Sequence, residues 1–107
     1  MSDQSTSDVL AKLFDVIESR RGADASSSYT AKLLAGGPPK IGKKLSEEAA
    51  EVTIAALSEG KDAVTAESAD LLYHLLVMWA AMDVKPEDVY AELAKREAQW
   101  LEKHDQA

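Results

Sequence analysis

The sequence predicts an all-α domain, and three observations carry that prediction. Strong helix formers dominate while Pro and Gly are sparse, with 3 prolines and 5 glycines in 107 residues. Apolar residues recur at helical spacing along most of the chain. Gly and Pro fall where those periodic stretches break. The length fits one domain. With 46% apolar residues it has enough for a core, but a small one. A domain of this size buries only about two-thirds of its unfolded surface. The architecture expected is therefore a helical bundle of about four to five helices, completed by dimerisation.

In chain order, residues 1–6 read as a disordered lead and 7–104 as the single all-α domain. Val9, Leu10, Leu13, Phe14 and Ile17 mark a first helix. It should end near Arg20 or Arg21, with Gly22 just past it. Residues 22–28 form a polar loop. A short helix is predicted from Tyr29 to Leu34, capped by Ser27 or Ser28 and stopped by Gly36-Gly37. Pro38-Pro39 open the next helix, in the first turn where proline is tolerated. It runs to about Ser58 and stops at Gly60. Asp62 is the expected cap of a helix from about Ala63 to Met82. Within that helix Leu71 to Trp79 is apolar nearly all round, so it must be covered on most sides, and a second subunit is the expected cover. Asp83 and Val84 turn the chain. Pro86 starts a last helix carrying Val89, Leu93 and Trp100.

The balance of charge excludes several classes of function. A net charge of −7 argues against nucleic acid as a partner, since phosphate backbones select basic surfaces, and against an anionic membrane surface. An acidic protein can still take a polyphosphate if metal ions mediate. The absence of cysteine excludes disulfides and thiolate metal sites and suits a reducing cytoplasm. Met1 to Thr6 lacks an apolar segment, so no secretory signal is expected. The most apolar stretch, Leu71 to Val84, is too short to span a bilayer and contains His74.

Chemistry concentrates in two acidic pairs. Glu47, Glu48 and Glu51 lie on one predicted helix, Glu67 and Asp70 on the next. Residues three apart share a helix face, so Glu48 projects with Glu51, and Glu67 with Asp70. The 15 residues between the pairs, 52–66, include Gly60 and suit a helical hairpin that brings both pairs together. Four carboxylates so close repel one another unless a cation neutralises them. Oxygen-only ligands select hard ions, namely Mg²⁺, Mn²⁺ or Ca²⁺. A lone Glu-x-x-Glu is most often a solvated face; a second pair set among small and apolar residues is what favours a metal site.

Lys40, Lys44, Glu48 and Glu51 fall within about a quadrant of the helical wheel. Lys44 reads either as a salt-bridge partner of Glu48 one turn on or as a phosphate contact beside the metal. Gly36, Gly37 and Gly42 match no P-loop pattern. His74 is read as a core residue satisfied by one hydrogen bond, in preference to a metal or substrate role. Tyr29 and Thr30 are read as packing, and Met78 and Trp79 as core or dimer packing.

The stretch Ile41-Gly42-Lys43-Lys44-Leu45-Ser46-Glu47-Glu48-Ala49-Ala50-Glu51-Val52, with Glu67-Ser68-Ala69-Asp70-Leu71-Leu72-Tyr73-His74-Leu75 after it, closely resembles the phosphoribosyl-ATP pyrophosphatase family. Ser28 to Leu34 and Asp88-Val89 resemble it too, and the likeness spans roughly residues 8–97. That family belongs to the MazG-like all-α nucleotide pyrophosphohydrolases, whose signature is Glu-Glu-x-x-Glu, a spacer, then Glu-x-x-Asp. The resemblance implies Mg²⁺-dependent hydrolysis of phosphoribosyl-ATP to phosphoribosyl-AMP and pyrophosphate, the second step of histidine biosynthesis, by a cytoplasmic homodimer. It implies Glu48, Glu51, Glu67 and Asp70 as the metal ligands, and Glu47 as a group behind them or one orienting the attacking water. Lys43 or Lys44, with Lys40, would hold phosphate oxygens. It also implies the monofunctional form, without a fused cyclohydrolase domain. Two other readings compete: a house-cleaning pyrophosphohydrolase of the same superfamily acting on (d)NTPs, and a non-enzymatic helical dimerisation module.

Overall fold

The computed structural model describes residues 7–105, with side chains described over 9–102; the expected lead at 1–6 lies outside the described residues. Four helices follow one another: α1 (Ser7–Ser19), α2 (Tyr29–Ser58), α3 (Lys61–Ala81) and α4 (Pro86–Asp105), with no strand among the described residues. The all-α prediction holds, and four helices fall in the expected range.

The helix at Tyr29 ends at the expected place, since Gly37 is non-helical and breaks Tyr29–Ser58 into two helical stretches. Ser28 caps the first as expected, its hydroxyl accepting from the Ala31 N–H, and the second stretch follows directly after the kink, opening on Pro38-Pro39 and running to Ser58. The kink is one residue wide. Gly37 sits at φ 76°, ψ −175°, a region essentially reserved for glycine. Gly-Gly-Pro-Pro thus encodes a sharp change of direction, the glycine stopping one helical stretch and the prolines opening the next, as expected. The arm Tyr29–Gly36 meets the long segment 38–58 at an angle set by that glycine.

Asp62 is not the cap of α3. Gly60 occupies that position, with no side-chain capping bond, and Asp62 lies in the first turn. There its charge still favours the positive end of the helix dipole. Gly60 at φ 113° lets α2 double back into α3 after a very short turn, so the two helices pack side by side as a hairpin.

The core is formed where α1 and α2 meet α3. Phe14, Ile17, Leu33, Ile41, Leu76, Val77 and Ala80 form one buried cluster. Arg21 ties the end of α1 to the end of α3 by donating to the Ala80 carbonyl at 2.7 Å. The chain covers only part of the apolar circumference of α3, since Leu72 and Met82 remain exposed.

The last helix behaves differently. Pro86 is buried and Val89 half-buried, but every described residue from 90 to 102 is exposed, including Leu93 and Trp100. The radius of gyration, 15.9 Å, exceeds the roughly 13 Å of a compact chain near this length. Beyond its first turn α4 projects away from the bundle.

Candidate metal and substrate site

The α2–α3 hairpin brings acids from both helices to one place. Single carboxylate oxygens of Glu48, Glu67 and Asp70 lie within 4.8 Å of one another. Glu48 and Glu67 are half-buried and Asp70 is exposed. Glu51 is not in this tightest group, yet it stands beside it: among the neighbouring charges, Glu51 bears hardest on Glu67, followed by Glu48, Asp70 and Glu59. Desolvation comes first, and together these effects hold the Glu67 carboxyl above its usual range. A carboxyl in this condition has surplus negative charge around it, and no basic group among the described residues is a main influence on it. The donor set is all oxygen, which fits a hard divalent cation.

The lysines are arranged less uniformly. Lys44 Nζ pairs with Glu47 Oε1 at 3.3 Å, three residues on, and not with Glu48 as the salt-bridge reading had it. The hydrogen bond to Glu47 raises the Lys44 ammonium above its usual range, with the charge of Glu47 and then Tyr29 adding to it. Glu47 faces this lysine and lies outside the carboxylate triad. Lys43 is exposed. Lys40 folds back over Gly36, where an added Cβ would lie 2.5 Å from Lys40 Cδ. Lys44 feels the acid edge, through Glu47, Tyr29 and Glu48.

The arm of α2 contributes what the sequence reading assigned to packing. His74 is buried in the core as expected, but both ring nitrogens are engaged. Nδ1 lies 2.8 Å from the Asp70 carbonyl and Nε2 lies 3.0 Å from the Tyr29 hydroxyl. A carbonyl can only accept, so Nδ1–H donates to the Asp70 carbonyl; in the tautomer that carries its single proton on Nδ1, Nε2 accepts and the Tyr29 O–H donates to it. The Tyr29 ring stacks on Tyr73 with centroids 6.3 Å apart, and Thr30 pairs with the Tyr73 hydroxyl. Partial burial pushes the Tyr29 phenol above its usual range, Lys44 opposes this, and Tyr73, Glu48 and Asp70 add to it. Tyr29 therefore stands at the edge of the acid cluster, with its ring about half exposed. No local spacing could locate it, because it lies 45 residues from His74 in sequence. The clues were the Gly-Gly-Pro-Pro break, which turns the arm, and the family likeness of Ser28 to Leu34.

The chain is similar in sequence to known proteins of one kind. The family model described as phosphoribosyl-ATP pyrophosphohydrolase matches residues 10–97. A phosphoribosyl-ATP pyrophosphatase of Paramagnetospirillum magneticum is 58% identical over 90 residues, covering 84% of this chain and 83% of the relative. That of Parvibaculum lavamentivorans is 60% identical over 88 residues, covering 82% and 81%. That of Rhodospirillum rubrum is 54% identical over 89 residues, covering 83% and 76%. A match over most of the chain at these identities leaves one conclusion: the chain belongs to the phosphoribosyl-ATP pyrophosphohydrolase family.

Proposed function

We propose that the acid cluster between α2 and α3 is the active site at which this enzyme hydrolyses phosphoribosyl-ATP to phosphoribosyl-AMP and pyrophosphate, the second step of histidine biosynthesis. The observation that carries the proposal is the convergence of Glu48, Glu67 and Asp70 within 4.8 Å from two helices. Glu51 beside them completes a quartet that would hold Mg²⁺. The bound ion would supply neutralisation of phosphate charge and acidification of a coordinated water.

The protein's own groups divide the remaining work. Water adds at phosphorus, the anhydride bond between the α- and β-phosphates breaks, and pyrophosphate leaves. Lys44 exchanges Glu47 for a phosphate oxygen as substrate docks, since a compact ammonium suits that contact. Lys43 and Lys40 stand farther along the same helix as outer phosphate contacts. Glu47, released from Lys44, is an acceptor able to orient the attacking water. No nucleophilic side chain is required.

A homodimer belongs to the same proposal. An isolated helix of under about 15 residues is marginal in water, yet every described residue of α4 from Tyr90 to Glu102 is exposed. Tyr90, Leu93, Ala94, Trp100 and Leu101 line one open apolar surface on it. With Leu72 and Met82 exposed on α3, this surface suits a second copy of the chain. The cytoplasm is the expected location, and no described helix is long and apolar enough to cross a membrane.

The test is pyrophosphate release from phosphoribosyl-ATP with and without Mg²⁺, run beside a dNTP panel. Release that depends on Mg²⁺ and prefers phosphoribosyl-ATP is expected. Equal or better turnover of a dNTP would reassign the substrate, and Mg²⁺-independent release would remove the metal site. Sedimentation at micromolar concentration should give a dimer; a well-folded monomer would refute that part.

A further inference from the structure

Tyr29 has a chemical property that follows from its partners. Its only proton is committed to His74 Nε2, and His74 is itself fixed by the Asp70 carbonyl. What the phenolic oxygen offers outward is therefore lone pairs alone. The imidazole that imposes this is 4% exposed, packed edge-on against Tyr29 and Tyr73, so it cannot turn to release the proton without opening the core. The ring of Tyr29 is held by the stack on Tyr73. The result is an oriented acceptor at the rim of the acid cluster, near Lys44, Glu48 and Asp70.

An acceptor beside carboxylates repels phosphate and selects a donor. The substrate carries its donors nearest the cleaved anhydride on the adenosine ribose, which is joined to the α-phosphate through its 5′-oxygen. When the phosphates sit on the metal and Lys44, that ribose lies next along the chain of the substrate. We propose that Tyr29 determines specificity by accepting a hydrogen bond from a hydroxyl of this ribose, and that His74 is the positioning residue that keeps the Tyr29 oxygen an acceptor. The proposal rests on the acid cluster being the active site. It gives the arm Tyr29–Gly36 a purpose, which is to carry a sugar-reading oxygen to the edge of the metal site.

The experiment pairs one enzyme change with one substrate change. Tyr29→Phe removes the oxygen and keeps the ring that stacks on Tyr73. Phosphoribosyl-ATP analogues lacking the 2′- or the 3′-hydroxyl of the adenosine ribose remove the donor and leave the protein untouched. The wild-type enzyme should prefer the full substrate over one of these analogues by roughly 10-fold in kcat/KM, the scale of one lost hydrogen bond. Tyr29→Phe should lose a similar factor on the full substrate, mostly in KM, and no longer distinguish it from that analogue. His74→Gln should lose part of the same discrimination. Wild-type discrimination persisting in Tyr29→Phe, or an equal fall on every substrate, would overturn the proposal, the second outcome pointing to a role toward water or metal. Wild-type enzyme indifferent to both hydroxyls would overturn it even if the variants failed to fold. Asp70→Asn assayed alongside reports on the acid site separately: retained turnover there would remove the site and this reading with it, whereas lost turnover with no ribose discrimination in the wild type would overturn the ribose contact alone.

Discussion

Gly37→Ala tests the link from backbone to site. Gly37 holds φ 76°, ψ −175°, where any residue with a Cβ is strained by about 1–3 kcal/mol. Space is not the difficulty, because the nearest atom to an added Cβ is Pro39 Cδ at 3.8 Å, an ordinary contact. The less flexible unfolded chain returns roughly 0.4–1 kcal/mol, leaving a net loss of about 1–2 kcal/mol. For a chain near 100 residues this lowers Tm by about 5–15 °C. Alanine cannot escape the strain by turning helical, since Pro38 disfavours the α region for the residue before it. It would relax toward extended backbone and swing the Tyr29–Gly36 arm off α3, breaking the Tyr29–His74 bond, so kcat/KM should fall together with Tm. Gly42→Ala is the control of opposite sign. Gly42 lies within α2, and its added Cβ would meet Met78 Cε at 3.6 Å. Alanine there should stabilise by about 0.5–1 kcal/mol. Thermal melts by circular dichroism with steady-state kinetics decide both. A Gly37→Ala protein that melts within a degree or two of wild type, with unchanged kcat/KM, would refute this account of the kink.

Three further outcomes follow from the site. Glu51→Gln and Asp70→Asn should each nearly abolish turnover and leave the helical circular dichroism intact; wild-type turnover in both at saturating Mg²⁺ would refute the ligand assignment. Lys44→Ala should lower kcat/KM by roughly 10²-fold or more, the scale of a lost transition-state donor, with Lys43→Ala less affected; a Lys44→Ala enzyme with wild-type kinetics would leave the pair with Glu47 as a surface salt bridge only. Desolvation and the neighbouring carboxylates hold the Glu67 carboxyl above its usual range in the folded protein, so folding binds protons there only between the unfolded and folded values. Its favourable contribution is therefore complete below about 4.5 and lost as pH rises through the folded value. In EDTA, Glu67→Gln and wild type should melt together at low pH, and the variant should melt higher at pH 7. A wild type that melts higher than the variant at pH 7 in EDTA would contradict the crowding of charge.

The parts of the site legible in the sequence are those fixed by spacing within one helix. Glu48 with Glu51 and Glu67 with Asp70 share faces by three-residue spacing, and one glycine, Gly60, suffices to fold the two helices together. Lys44 shows where spacing runs out. Glu47 and Glu48 are both one turn away, at i+3 and i+4, and only the side-chain geometry makes Glu47 the partner. Asp62 was misjudged as a cap for a related reason: Gly60 can enter α3 from a backbone region closed to other residues, and the helix begins two residues earlier than a capping aspartate would allow. Tyr29 was invisible because its place depends on a single dihedral at Gly37 and on a histidine in another helix. His74 looked like a core residue and is one. What the sequence could not show is that a fully satisfied core histidine dictates the polarity of a half-exposed tyrosine, and through it the kind of group the rim of the acid site can receive. The buried imidazole, with Leu76, Val77 and Ala80 near it in α3, is tolerated because both ring nitrogens have partners. An apolar side chain there would remove the Tyr29–His74 bond, leaving the Tyr29 proton free to point outward and turning an acceptor into a donor.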